Sequence, residues 1–113
     1  MKFILDREKW LRGSRWKSAL YDPQENKYCC LGLMGKQLKV PKIRMVDVET
    51  PADIEGKIPK AYREIFLGDD IGENNYLSWV AMLINDSSIS DKMREYQLKR
   101  LFKKYGHEIE FVN

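Results

Sequence analysis

The chain closes on His107-Glu108-Ile109-Glu110-Phe111-Val112, where charged and apolar residues alternate. A period of two marks a half-buried strand, with one face on a core and the other in water. A short apolar run at the opposite end, Lys2-Phe3-Ile4-Leu5, reads as a strand too. The segments between them carry helical periods, so the two terminal strands are expected to pair beneath helices. The fold class that follows is α+β: three to four helices packed on a small sheet that includes the N- and C-terminal strands. At 113 residues the chain reads as one domain, 1–113.

The helices can be placed by working inward from these strands. Ser90 is a good N-cap for a basic helix from Asp91 to Tyr105, with Leu98, Leu101, Phe102 and Tyr105 on its core face and Gly106 past its end. Before it, Tyr76, Leu77, Val80, Ala81 and Ile84 form the apolar stripe of another helix, which Asn74 or Asn75 would cap. Pro59 suits the start of a helix bearing Ala61, Tyr62, Ile65 and Phe66, stopped by Gly68. The stretch from Lys42 to Lys57 has little periodicity and reads as a long loop, with a short strand at Arg44–Val48. Cys30 to Lys39 reads as a helix despite Gly32 and Gly35, which predicts close approach to another backbone. Asp6 would cap a turn ended by Gly13. Arg15–Tyr21 can be extended, and Asp22-Pro23-Gln24-Glu25-Asn26 is a turn.

Composition narrows the class. Hydrophobic residues make up 43% and charged residues 33%, with three Trp, six Tyr and four Phe, enough apolar area to oppose disorder. The longest apolar run, Trp79–Ile84, is far short of a membrane span. The N-terminus turns acidic too soon for a signal peptide, so the expected location is the cytoplasm. The net charge of +3 conceals segregation. Met1–Met45 carries 11 basic and 4 acidic residues, Val46–Asp91 carries 3 and 10, and Lys92–Asn113 carries 6 and 3. Mutual attraction of these segments is the plain explanation; a dipolar surface able to steer a charged partner is the sharper one.

Candidate chemistry is sparse. Cys29 and Cys30 stand where a strand turns into a helix, and a thiol at a helix N-terminus can favour the thiolate. They are therefore the candidate reactive thiols of a nucleophile or redox sensor. Adjacent cysteines do not form an ordinary disulfide, and a nucleophile needs a base. The one histidine, His107, belongs to the terminal strand. Two small apolar residues packed at a tight junction account for the pair more simply. One His and no CxxC leave too few soft ligands for a metal site, and the acidic loops lack calcium-loop spacing, so neither metal nor cofactor is expected. Phosphate-loop, dinucleotide, zinc-protease and nucleophile-elbow motifs are missing from the sequence. No catalytic residue can be named.

Binding is better represented. Trp10, Arg12, Arg15, Trp16 and Lys17 interleave rings with cations, a mixture that suits a nucleotide-like ligand. Arg12, Arg15, Trp16 and Lys17, with Tyr28 beside the cysteines and Asn85 after an apolar helix, form the candidate ligand-binding set. A core Trp10 with solvated cations, and an Asn85 that caps its helix end, are the structural alternatives. Lys92, Arg94, Lys99, Arg100, Lys103 and Lys104 read as a solvated basic face. Specific nucleic-acid binding is not expected.

Glu8-Lys9-Trp10-Leu11-Arg12-Gly13, Lys27-Tyr28-Cys29-Cys30-Leu31-Gly32, the Asn85-Asp86 pair and the closing Glu110-Phe111-Val112 together resemble a family of small proteins of tailed phages and prophages. Tyr-Cys-Cys-Leu-Gly is the most specific element, and the resemblance covers nearly the whole chain. What it implies is a context: a non-enzymatic phage accessory protein in the host cytoplasm, binding a host protein or a nucleotide-like defence signal, with an anti-defence role. A thiol enzyme or sensor centred on Cys29 and Cys30 is one alternative, and a structural homodimer is another.

Overall fold

The computed structural model describes residues 1–13, 18–67 and 73–113, and the side chains of all of these except 73–75. Strand β1 (Lys2–Asp6) and strand β2 (Glu108–Val112) pair in parallel, with Phe3 opposite Ile109 and Leu5 opposite Phe111. Alternation puts those four side chains on one buried face, and leaves Lys2, Ile4, Glu108 and Glu110 outside. Parallel neighbours need a crossover, and here the rest of the chain supplies it. The sheet's β1 edge is closed by a side chain. The Ile4 amide donates to Gln37 Oε1 at 3.0 Å, and Gln37 Nε2 donates to the Lys2 carbonyl at 2.9 Å. The Gln37 amide thus replaces one residue of a third strand.

Among the described residues five helices pack over this sheet: α1 (Cys30–Gln37), α2 (Lys42–Met45), α3 (Lys60–Phe66), α4 (Glu73–Asp86) and α5 (Asp91–Lys104). Four of them have seven residues or more, and α2 is a single turn, so the α+β architecture is as expected. Ser90 caps α5, its hydroxyl accepting from the Met93 amide at 3.2 Å. Asp6 accepts from the Glu8 amide and opens a one-turn 3-10 helix, Arg7–Lys9. Asp22 accepts from the Gln24 and Glu25 amides and organises the expected turn.

Gly32 shows why α1 tolerates glycine. A Cβ there would overlap the Leu20 carbonyl, and one at Gly35 would crowd Met45 Sδ at 2.9 Å. The helix lies directly on the 18–21 backbone, so α1 residues Cys30, Leu31 and Met34 are fully buried. Phe3, Phe66 and Phe102 meet ring to ring at 6.0–6.3 Å and tie the sheet to α3 and α5.

Three expectations need correction. Arg44–Val48 is no strand: Pro41 starts the α2 turn, and the chain then touches Tyr21 through one isolated bridge at Val46. Asp47 takes a left-handed φ of +56°, which ends any extended run. Asn74 and Asn75 lie inside α4, which begins at Glu73. Tyr76 is exposed, because the buried side of α4 runs through Leu77, Ser78, Ala81, Met82 and Asn85. The Gly68 stop and most of the acidic loop after it fall outside the described residues.

Candidate functional site

The Cys29-Cys30 junction is organised by Asn85, which arrives from the end of α4. Cys29 supplies no side-chain cap to α1. Asn85 Oδ1 does this instead, accepting from the Cys30 amide at 3.0 Å and from Trp10 Nε1 at 2.7 Å. Asn85 Nδ2 donates to the Leu11 carbonyl at 3.0 Å and to Asp86 Oδ1 at 2.9 Å. Two donors and two acceptor sites are all the amide has, and the protein fills all four. The Asn85 carbonyl accepts from the Gly13 amide at 2.8 Å and from Arg94 Nε at 3.3 Å. Arg94 is 2% exposed, and its other nitrogens reach the Ser87 and Ile89 carbonyls at 2.7–3.2 Å. It therefore does not belong to the solvated basic face on which sequence reasoning put it. Instead it closes the 87–89 turn from beneath.

Both thiols are enclosed in this junction. Burial is the main reason the Cys29 thiol is pushed up to about 12, against weaker lowering by backbone amides at the start of α1. Cys30 is also raised, by burial first and then by its neighbour Cys29. Its Sγ faces the Ala81 carbonyl at 3.9 Å. A helix N-terminus does not produce a thiolate when the sulfur is fully desolvated. The one histidine is engaged elsewhere. His107 packs on Phe3 and Phe102, with Nδ1 3.3 Å from the Met1 amine. Its pKa is lowered by burial and then by that ammonium. Among the described residues no three His, Cys, Asp or Glu side chains form a metal-binding group.

The remaining candidates are placed as follows. Tyr28 is buried against Tyr21 at 4.7 Å, with Lys36 Nζ 5.4 Å from its ring centre. Arg12 stacks on Trp10 at 4.5 Å, bonds the Arg7 and Trp10 carbonyls, and meets Asp91 at 3.2 Å. Trp10 is core, 1% exposed. Arg15, Trp16 and Lys17 lie outside the described residues. The structure thus brings Trp10, Arg12, Cys30 and Asn85 into one framework, in which each already has protein partners.

A different surface presents itself on α4 and α5. Tyr76, Trp79 and Leu83, at i, i+3 and i+7, are 59, 60 and 54% exposed. They form an apolar stripe opposite the buried one, so α4 is apolar on both faces. On one flank Trp79 roofs a small cavity of about 180 Å3 with Ser78, Met82, Phe66 and the Thr50–Ala52 segment. On the other, Ile84 opens into a groove of about 630 Å3 along α5, bordered by Leu101, Tyr96, Gln97, Arg100, Lys103 and Lys104. Sequence reasoning puts Tyr76, Leu77, Val80, Ala81 and Ile84 on one core stripe; Leu77 and Ala81 are buried and Ile84 packs partly buried against the core, while Tyr76 is exposed. The signal it could have used is that α4 has apolar residues at too many angles for one buried face.

Comparison of the chain with known protein families, with curated proteins and with solved structures finds no match. No described helix is long and apolar enough to cross a membrane.

Proposed function

We propose that this chain is a non-enzymatic binding protein that docks on a protein partner through the outer face of α4 and the adjoining side of α5. The observation that carries the reading is the outward stripe Tyr76–Trp79–Leu83. Isolated exposed apolar residues are ordinary, but three in register on one helix mark an interaction surface. The phage resemblance supplies the context: an accessory protein in the host cytoplasm whose partner is a host protein, with interference in a host defence as its role.

Two observations weigh against the alternatives. Buried thiols with raised pKa values are poor nucleophiles, which disfavours the thiol enzyme. The two Nη atoms of Arg12 are committed to two carbonyls and Asp91 and its plane to Trp10, leaving only the buried Nε without a partner among the described residues, which disfavours a nucleotide site built on it. The test is expression of tagged protein in a bacterial host, purification with whatever it retains, and hydrogen exchange on the purified complex. Protection is expected on α4 and α5, with release of the partner by Trp79→Ala plus Leu83→Ala. A complex that survives this double variant, with protection elsewhere, would sink the reading. So would calorimetric heat from a panel of nucleotide signals with no retained protein.

A further inference from the structure

Resting on the docking reading above, we infer that the segment received between α4 and α5 is an acidic amphipathic helix of the partner protein. The groove combines an apolar floor, Ile84 and Leu101, with a rim of Arg100, Lys103 and Lys104. None of these three cations has an ion-pair or hydrogen-bond partner among the described residues. The carboxylates of α5 are spent on its other side. Asp91 meets Arg12 at 3.2 Å and Arg94 at 3.7 Å, and Glu95 meets Arg7 at 2.7 Å. At 100° per residue, Asp91 and Glu95 lie roughly opposite Arg100 and Lys104. Helix α4 contributes no lysine or arginine and no competing basic charge to the stripe.

An apolar floor and cations without a partner among the described residues together select the partner. A phosphate chain would use the cations and leave Trp79 and Leu83 in water. A neutral apolar segment would cover the stripe and leave the cations unanswered. An acidic amphipathic helix answers both, laying its apolar ridge on Leu83, Ile84 and Leu101 and its carboxylates toward Arg100, Lys103 and Lys104. Around α4 the order Trp79, Leu83, Val80, Ile84 is continuous, so one helix can span stripe and groove.

The test uses full-length protein and three fluorescent peptides of about 18 residues, five helical turns each. One alternates Leu and Glu at helical spacing, one replaces Glu by Lys, and one replaces Leu by Ser. Anisotropy should show the Leu/Glu peptide binding at least about tenfold tighter than either other, and more weakly as salt rises. The variant Arg100→Glu with Lys103→Glu and Lys104→Glu should lose about tenfold, and Lys103→Gln with Lys104→Gln should lose part of it. These positions are exposed, and a thermal melt confirms that the variants fold. Equal binding of the Leu/Lys or Ser/Glu peptide overturns the inference, as does full displacement by ATP. Sedimentation showing a dimer that the peptide dissociates overturns it in favour of a second copy. If Trp79→Ala plus Leu83→Ala weakens binding while the charge reversals do nothing, only the partner's chemistry is wrong. If neither set matters, the docking face itself is wrong.

Discussion

Asn85 shows how one residue can carry several elements at once. Its side chain holds the start of α1, the indole of Trp10 and the strand-like segment at Leu11, while its carbonyl holds Gly13 and Arg94. Removing the amide leaves Trp10 Nε1, the Cys30 amide and the Leu11 carbonyl without this partner in a buried site. Each unsatisfied group costs about 1–3 kcal/mol, and partial relaxation reduces the sum. Asn85→Ala is therefore expected to lower unfolding free energy by about 3 kcal/mol in urea titrations. A loss under about 1 kcal/mol would show that the network is dispensable. In the sequence Asn85 was legible only as a polar residue ending an apolar helix, equally fit to cap that helix or to read a ligand. That its amide caps a different helix, 55 positions earlier, depends on packing that no local pattern encodes. Arg94 is the parallel case: one cation among many in sequence, yet a buried clamp on the carbonyls of Asn85, Ser87 and Ile89 in the fold.

At the scale of elements, local rules predicted much. The caps at Asp6 and Ser90, the turn at Asp22 and the glycines of α1 all act as their chemistry requires. Gly32 makes the sharpest prediction, because the atom a side chain would strike is backbone. Gly32→Ala must push α1 off the Leu20 carbonyl, while an ordinary exposed helix position would gain from the same change. We expect a loss of about 2–3 kcal/mol, the upper range for overpacking, read as a lowered midpoint of thermal unfolding. A neutral or stabilised variant would mean that α1 can shift freely. Local rules succeeded only in part at α4, where Leu77 and Ala81 are buried as expected but Tyr76 is not. Its apolar residues surround the helix, and a stripe drawn through Tyr76, Val80 and Ile84 is as regular as the one actually buried. The choice falls to Leu77, Ala81 and Asn85 because Asn85 must turn inward to reach Trp10 and Cys30.

For the molecule as a whole, the two thiols tie stability to pH. The Cys29 thiol is raised to about 12 in the folded chain against an ordinary value near 9.0, so the native state keeps a proton that the unfolded state gives up. The sign follows: this contribution is fully present below pH 9 and is lost as pH rises through the folded value. Stability should fall from about pH 9 toward pH 12, and Cys29→Ala should show a shallower fall over the same range. Urea midpoints measured across that range decide it; a midpoint that holds level, or an unchanged slope in the variant, would contradict the buried-thiol account. Alkylation should meanwhile report both cysteines as protected until the chain unfolds.

The sequence by itself determined that the two ends are strands with one apolar face each, that helices lie between them, and that no familiar catalytic motif is present. Those properties follow from periodicity, caps and residue chemistry, which act over a few positions. The tertiary structure alone decided that the strands run parallel, that Gln37 closes the β1 edge, and that Asn85 and Arg94 turn inward. It also decided that α4 leaves an apolar stripe in water beside cations that have no ion-pair partner among the described residues. Each of these depends on which surfaces meet across long separations. A stripe of Leu, Tyr and Trp has the same period whether it is covered or bare, and only the packing of its neighbours settles which side remains open.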